Sequence, residues 1–186
     1  MMKFLSAFIC AFALVLTNAA AGDAPLTEEQ AKRFVATLPV LDDFGDTLEA
    51  EDKISQLMID NKPKAGEPFK PYSRAVTALS EAYPADHARL AKALKPHGFT
   101  TQEWGVVGDR IMIAYLALAM AEQDPETLAM MEGMDASMLD MVPPEMRAQL
   151  EQTFAMMETV KNAPQADKDV VATVKASLDD YVSVSE

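Results

Sequence analysis

Cysteine is nearly missing from this sequence: the only one in 186 residues is Cys10, inside an apolar run at residues 4–16. Beyond that run there is no thiol, which excludes disulfides, thiol catalysis and cysteine metal sites together. Basic charge is also scarce. Lys and Arg number 16 against 29 Asp and Glu, a formal −13, and Lys3 is the only charge in the first 22 residues. A nucleic-acid binder needs a basic face to release counterions from phosphates, and anionic headgroups ask for the same, so neither partner is expected. There is no G-x-S-x-G, no glycine-rich phosphate loop and no H-E-x-x-H. The two histidines, His87 and His97, would need a carboxylate from a neighbouring helix to make a zinc site. Pairs of carboxylates for acid–base work arise by chance among 29 acids. An enzyme without a recognisable motif therefore ranks third among the function classes, and no cofactor is expected.

What is present begins with an address. Residues 1–22 open on Lys3, continue apolar through Phe8, Ile9, Phe12, Leu14 and Val15, and close on Asn18-Ala19-Ala20-Ala21. A positive start, a short apolar stretch and an A-x-A site make a secretory signal peptide, with cleavage expected after Ala21 and a mature chain from Gly22. The stretch is too short to span a bilayer, so no stable membrane span is expected after cleavage. Bulky neighbours of Cys10 do not make a lipoprotein box. The expected location is periplasmic or secreted.

With 49% hydrophobic and 24% charged residues, the rest, 22–186, fits a single domain. Its periodicity is helical throughout, and no alternating stretch nominates a strand pair. Thr27 and Gln30 make a capping box ahead of Phe34, Val35 and Leu38, and Pro39 punctuates that helix. Residues 40–60 present Leu41, Phe44 and Leu48, then shift phase to Ile54, Leu57 and Met58; residues 62–68 read as a loop. A third helix carries Tyr72, Val76, Leu79 and Tyr83, and a fourth starts at Pro84, shows His87, Leu90 and Leu94, and ends at Pro96 and Gly98. Next, Thr100 and Glu103 form a second capping box, with Phe99 and Trp104 in the positions of a hydrophobic staple. The helix they open, about 101–123, is apolar on every side from 111 to 121 and is expected to be the buried centre, with Gly105 and Gly108 admitting a neighbour. Asp124-Pro125-Glu126 starts another helix, one carrying Leu150, Phe154 and Met157 follows Pro143-Pro144, and a last one after Pro164 shows Val170, Val171, Val174, Leu178 and Tyr181. The expected fold is an all-α, single-domain bundle of about eight short-to-medium helices.

Through His97-Gly98-Phe99, Trp104 and the pair Asp109-Arg110, the chain resembles a group of secreted, all-helical proteobacterial proteins to which no activity is assigned. The resemblance implies a fold and an export route. A weaker one is to the periplasmic stress chaperones of the Spy type, whose Leu-Thr-x-x-Gln motif Leu26, Thr27 and Gln30 match once. The second motif would fall at Val142-Pro143-Pro144-Glu145-Met146, which departs from it at three positions, and this chain is acidic where those chaperones present a basic cradle.

Methionine is the compositional excess: 13 in all, ten of them between Met112 and Met157. At a helical turn of about 100° per residue, Met130, Met131, Met134, Met138 and Met141 fall on one face. Soft thioethers select Cu(I), so Met131, Met134 and Met138 are the candidate ligands of a periplasmic Cu(I) buffer. Methionine also fills irregular cores and lines adaptable apolar grooves. Arg110 pairs with an acid on another helix in one reading, and in the other binds an anion in a pocket lined by Trp104 and Tyr115. The acidic run Asp42, Asp43, Asp46, Glu49, Glu51 and Asp52 lacks the order of a calcium loop and reads as a solvated face. The leading expectation is a non-catalytic envelope binding protein whose methionine- and aromatic-lined surface takes an apolar ligand or a partner helix.

Overall fold

Each helix boundary has a local cause. In the computed structural model, which describes residues 24–55, 57, 67–123 and 144–184, helix α1 spans Glu28–Val35. The Thr27 hydroxyl accepts from Gln30 N at 3.2 Å and the Gln30 side chain accepts from Thr27 N at 3.0 Å, which satisfies two otherwise orphaned amides. Helix α2, Leu38–Ala50, has Pro39 in its first turn, where a missing N–H costs nothing. It ends in a Schellman motif built on Asp52, a non-glycine residue at φ 56°. Lys53 N donates to Leu48 O and Asp52 N to Glu49 O, both at 2.9 Å. That left-handed step is the physical origin of the phase shift between Leu48 and Ile54.

Helices α3, Pro71–Ala82, and α4, Pro84–Leu94, each open on a proline. A 3-10 turn at Lys95–His97 follows, and Gly98 at φ 74° closes it with a second Schellman motif, Phe99 N donating to Leu94 O at 3.4 Å and Gly98 N to Lys95 O at 3.0 Å. Helix α5, Thr101–Ala121, starts at the expected capping box: Thr100 Oγ1 accepts from Glu103 N at 3.1 Å, and Glu103 returns the bond to Thr100 N at 3.2 Å. Helices α6 (Pro144–Lys161), α7 (Gln165–Ala172) and α8 (Lys175–Val184) complete the described fold. Among the described residues there are eight α-helices and no strand, as the periodicity requires. The single last helix expected after Pro164 is two: Thr173 N bonds to Val170 O and Val174 N to Val171 O, so the chain tightens to i→i−3 bonds and re-aims. Val171, Val174 and Leu178 remain buried across the break.

Helix α5 is the hub, packing most extensively on α3 and then on α7, α1, α6 and α4. Its buried stripe runs Trp104, Val107, Ile111 and Ala114 at steps of three, four and three. Each large member contributes about 1.5–3 kcal/mol by leaving water. The fully buried part is thus the first two-thirds of the helix, whereas residues 115–120 are half-buried. Gly105 and Gly108 face α3 as expected: a Cβ on Gly105 would lie 3.0 Å from Ser73 Cα, and one on Gly108 would lie 2.6 Å from the Tyr72 ring and 2.9 Å from Phe34. That close approach gathers three rings where α1, α3 and α5 meet. Phe34 stacks on Trp104 at 5.6 Å, and Tyr72 stands edge-on to both, at 5.4 and 5.2 Å. The methionine-bearing run 130–141, the helix start at Asp124-Pro125-Glu126, residues 62–66 and the N-terminal segment 1–22 lie outside the described residues.

Candidate functional site

A part-open cavity of about 240 Å³ lies against Trp104, between α2, α3, α4 and the first half of α5. Leu41, Phe44 and Leu48 supply one wall, because steps of three and four put them on one face of α2. The Schellman turn at Asp52 brings the phase-shifted Ile54 and Leu57 to the same space. Ala75, Val76 and Leu79 of α3, Leu90 of α4 and the Trp104 ring close it. Every one of these side chains is apolar apart from the indole N–H, and that donor is already used: Trp104 Nε1 donates to Thr37 Oγ1 at 3.1 Å, and Thr37 is wholly buried. The described lining side chains therefore offer no free hydrogen-bonding group.

Among the described residues, the charges beside the cavity residues Ile54 and Phe44 are paired. Asp86, buried at the start of α4, accepts from Lys53 Nζ at 2.6 Å and from Arg89 at 2.8 Å. Lys53 also holds Glu51, and Arg89 approaches Glu51 at 3.8 Å. Lys53 lies beside the cavity residue Ile54, and the Arg89 guanidinium sits 6.0 Å over the ring of the cavity residue Phe44. The hydrogen bond from Lys53 holds the Asp86 carboxyl below its ordinary range, against the opposing effect of burial.

The three candidates Trp104, Arg110 and Tyr115 each engage a different partner: Thr37, Asp167 and Asp179. Arg110 forms a fork on Asp167 of α7, Nε to Oδ2 at 2.8 Å and the terminal nitrogen to Oδ1 at 2.6 Å, and also donates to the Ala24 carbonyl. Leu26 N donates to the same carboxylate at 3.3 Å. Arg110 thus ties the segment ahead of α1 to α7, which is the pairing role the sequence offered for it. Tyr115 donates to Asp179 of α8 at 2.9 Å, and burial together with that carboxylate raises its phenol. Of the three, only Trp104 reaches the cavity.

Asp109 has a function that its place in the sequence did not reveal. Helix α3 has no side-chain cap of its own, and the buried Asp109 carboxylate supplies one from α5, accepting Tyr72 N at 2.7 Å and Ser73 N at 3.2 Å. Burial nevertheless pushes its carboxyl above the usual range, outweighing the amides and Lys70. Tyr181 of α8 donates to Asp42 of α2, and burial with that carboxylate pushes its phenol up to about 12. His87 is half-buried with Nε2 3.0 Å from Thr101 Oγ1, at the edge of the core rather than in the cavity. The acidic residues 42, 43, 46, 49, 51 and 52 are exposed, as a solvated face should be. Among the described residues no group of three His, Asp or Glu side chains is placed to hold a metal ion. No family model, no curated protein and no solved structure matches this chain.

Proposed function

We propose that this chain is an exported, non-catalytic binding protein that holds an apolar ligand in the cavity beneath Trp104. The observation that carries the reading is the lining itself: ten apolar residues from five parts of the chain enclose about 240 Å³ instead of collapsing onto one another. Cores are ordinarily packed without voids of this size, and concave apolar pockets are the usual seat of small-molecule binding. Export follows from the charged start, apolar stretch and A-x-A close of residues 1–22, and the resemblance to secreted helical proteins supports it. Helix α5 is long and apolar enough to cross a membrane. Its packing on α1, α3 and α7 and its ion pair to Asp167 suit a core helix instead.

The test uses Trp104, the only tryptophan, as a reporter built into the site. Titration with an environment-sensitive neutral naphthylamine dye should show saturable, one-to-one binding with energy transfer from Trp104. Val76→Phe, which puts a ring into the cavity, should abolish it while the far-ultraviolet circular dichroism stays the same. Dye binding that is absent, or that survives the substitution unchanged, would overturn the reading.

A further inference from the structure

The chemistry of the cavity and its rim narrows the ligand. We infer that the site takes an uncharged hydrocarbon group of about eight to ten carbon atoms, of the class of a monocyclic hydrocarbon or a medium-chain alcohol, and discriminates against the corresponding carboxylate. The inference rests on the binding function proposed above. A cavity of about 150 Å³ holds one benzene ring, so about 240 Å³ accommodates a ring with a short substituent or a folded medium chain within its walls.

Polarity sets the second limit. Among the described lining side chains a ligand's polar atom would meet no free donor or acceptor, because their one polar group, Trp104 Nε1, is already given to Thr37. An unpartnered polar group in such a place is penalised, and an ionised carboxylate far more so. A fatty acid would have to leave its head outside the lining, and among the described residues the cations beside cavity residues are Lys53, next to Ile54, and Arg89, over Phe44. Both are taken. Asp86 binds the two of them at 2.6 and 2.8 Å, and Glu51 adds a second carboxylate beside each. Among the described residues this cluster therefore carries two positive and two negative side chains, and a carboxylate arriving there would have to displace Glu51 or leave Asp86 short of a partner. Beyond the rim the molecule is acidic, with a formal −13, so the long-range field also repels anions.

The experiment compares cymene, a neutral ten-carbon hydrocarbon, with nonyl alcohol and nonanoate on the purified full chain, at about pH 8, where the acid is ionised. Trp104 emission and the midpoint of thermal unfolding are read together. Cymene and nonyl alcohol should perturb Trp104 and raise the midpoint, with an affinity at least about tenfold above that of nonanoate. Val76→Phe should remove the response. Leu57→Phe, at a half-buried cavity position, gives the same readout should the first variant fold poorly. Nonanoate binding as tightly as the alcohol, with a loss on Lys53→Met or Arg89→Met, would overturn this inference and leave the binding function standing. Silence of Trp104 and of the midpoint towards all three probes would overturn both.

Discussion

Gly108 and Gly45 are both helical glycines, and their surroundings give them opposite values. A methyl on Gly108 would fall within 2.6 Å of Tyr72 and 2.9 Å of Phe34, two rings already locked against Trp104. Alanine is the better helix former by about 1 kcal/mol, yet overpacking a closed aromatic cluster typically costs about 1–3 kcal/mol. Gly108→Ala should therefore destabilise. Gly45, in the middle of α2, has nothing within 4 Å of where its Cβ would stand. Gly45→Ala should stabilise by about 0.5–1 kcal/mol. Urea unfolding of the two variants beside the parent checks both signs, and a Gly108→Ala that matches or exceeds the parent would refute the packing account of the three rings.

At the scale of elements, the described helices are fastened by carboxylates that reach across the sequence. Asp167 receives Arg110 and Leu26 N while its own side chain is almost fully enclosed. Removing one partner of such a pair leaves the other charge stranded, so Asp167→Ala should cost about 3–5 kcal/mol. The double variant Arg110→Met with Asp167→Leu should recover much of that, because apolar groups of similar size satisfy the same space. Equal losses in the single and double variants would show that the charges were not coupled.

Asp109 and Asp86 should respond to pH in opposite senses. Burial raises the folded-state value of Asp109, so its favourable contribution is present in acid and lost as pH rises through that raised value. The stability of Asp109→Asn relative to the parent should accordingly climb between about pH 4 and pH 7. Lys53 lowers the folded-state value of Asp86, so its contribution is present above the unfolded value and lost as pH falls through the folded one. Relative to the parent, Asp86→Asn should look worst near about pH 7 and improve towards about pH 3. Denaturant midpoints across that range decide both, and slopes of the same sign in the two variants would contradict the assignment.

These fasteners also mark where sequence reading stops. The capping boxes at Thr27 and Thr100, the proline start of α4 and the glycine stop at Gly98 were legible, because each is settled within a few residues. The break at Thr173 carries no proline or glycine, and burial of Val171, Val174 and Leu178 in the shared core replaces the missing local signal. Asp109 was visible as a charge at the start of an apolar helix, but the amides it caps lie 36 and 37 residues away. The cavity was present in the sequence only as fragments. Its walls were read correctly as core stripes, and the phase shift at Ile54 was the one sign that two of them meet.

For the molecule as a whole, Trp104 of the hub helix joins a packed aromatic cluster to an unfilled apolar space. Phe34 and Tyr72 hold the Trp104 indole between them, and the same residue lines the cavity. Empty apolar volume is a stability cost, of about 20 cal/mol per Å² of cavity surface in cores that cannot relax. A cavity kept for binding should therefore gain stability when filled from within: Val76→Phe is expected to raise the unfolding midpoint while losing ligand.

The central claim is that an uncharged apolar ligand enters this cavity and no other part of the described fold. Heteronuclear NMR of the protein titrated with cymene tests it most directly. The Trp104 indole and the methyls of Val76, Leu79 and Leu90 should shift in a saturable way, with the Arg110 and Tyr115 signals left in place. Shifts centred on Arg110 and Tyr115, or a spectrum unmoved at saturating cymene, would contradict it.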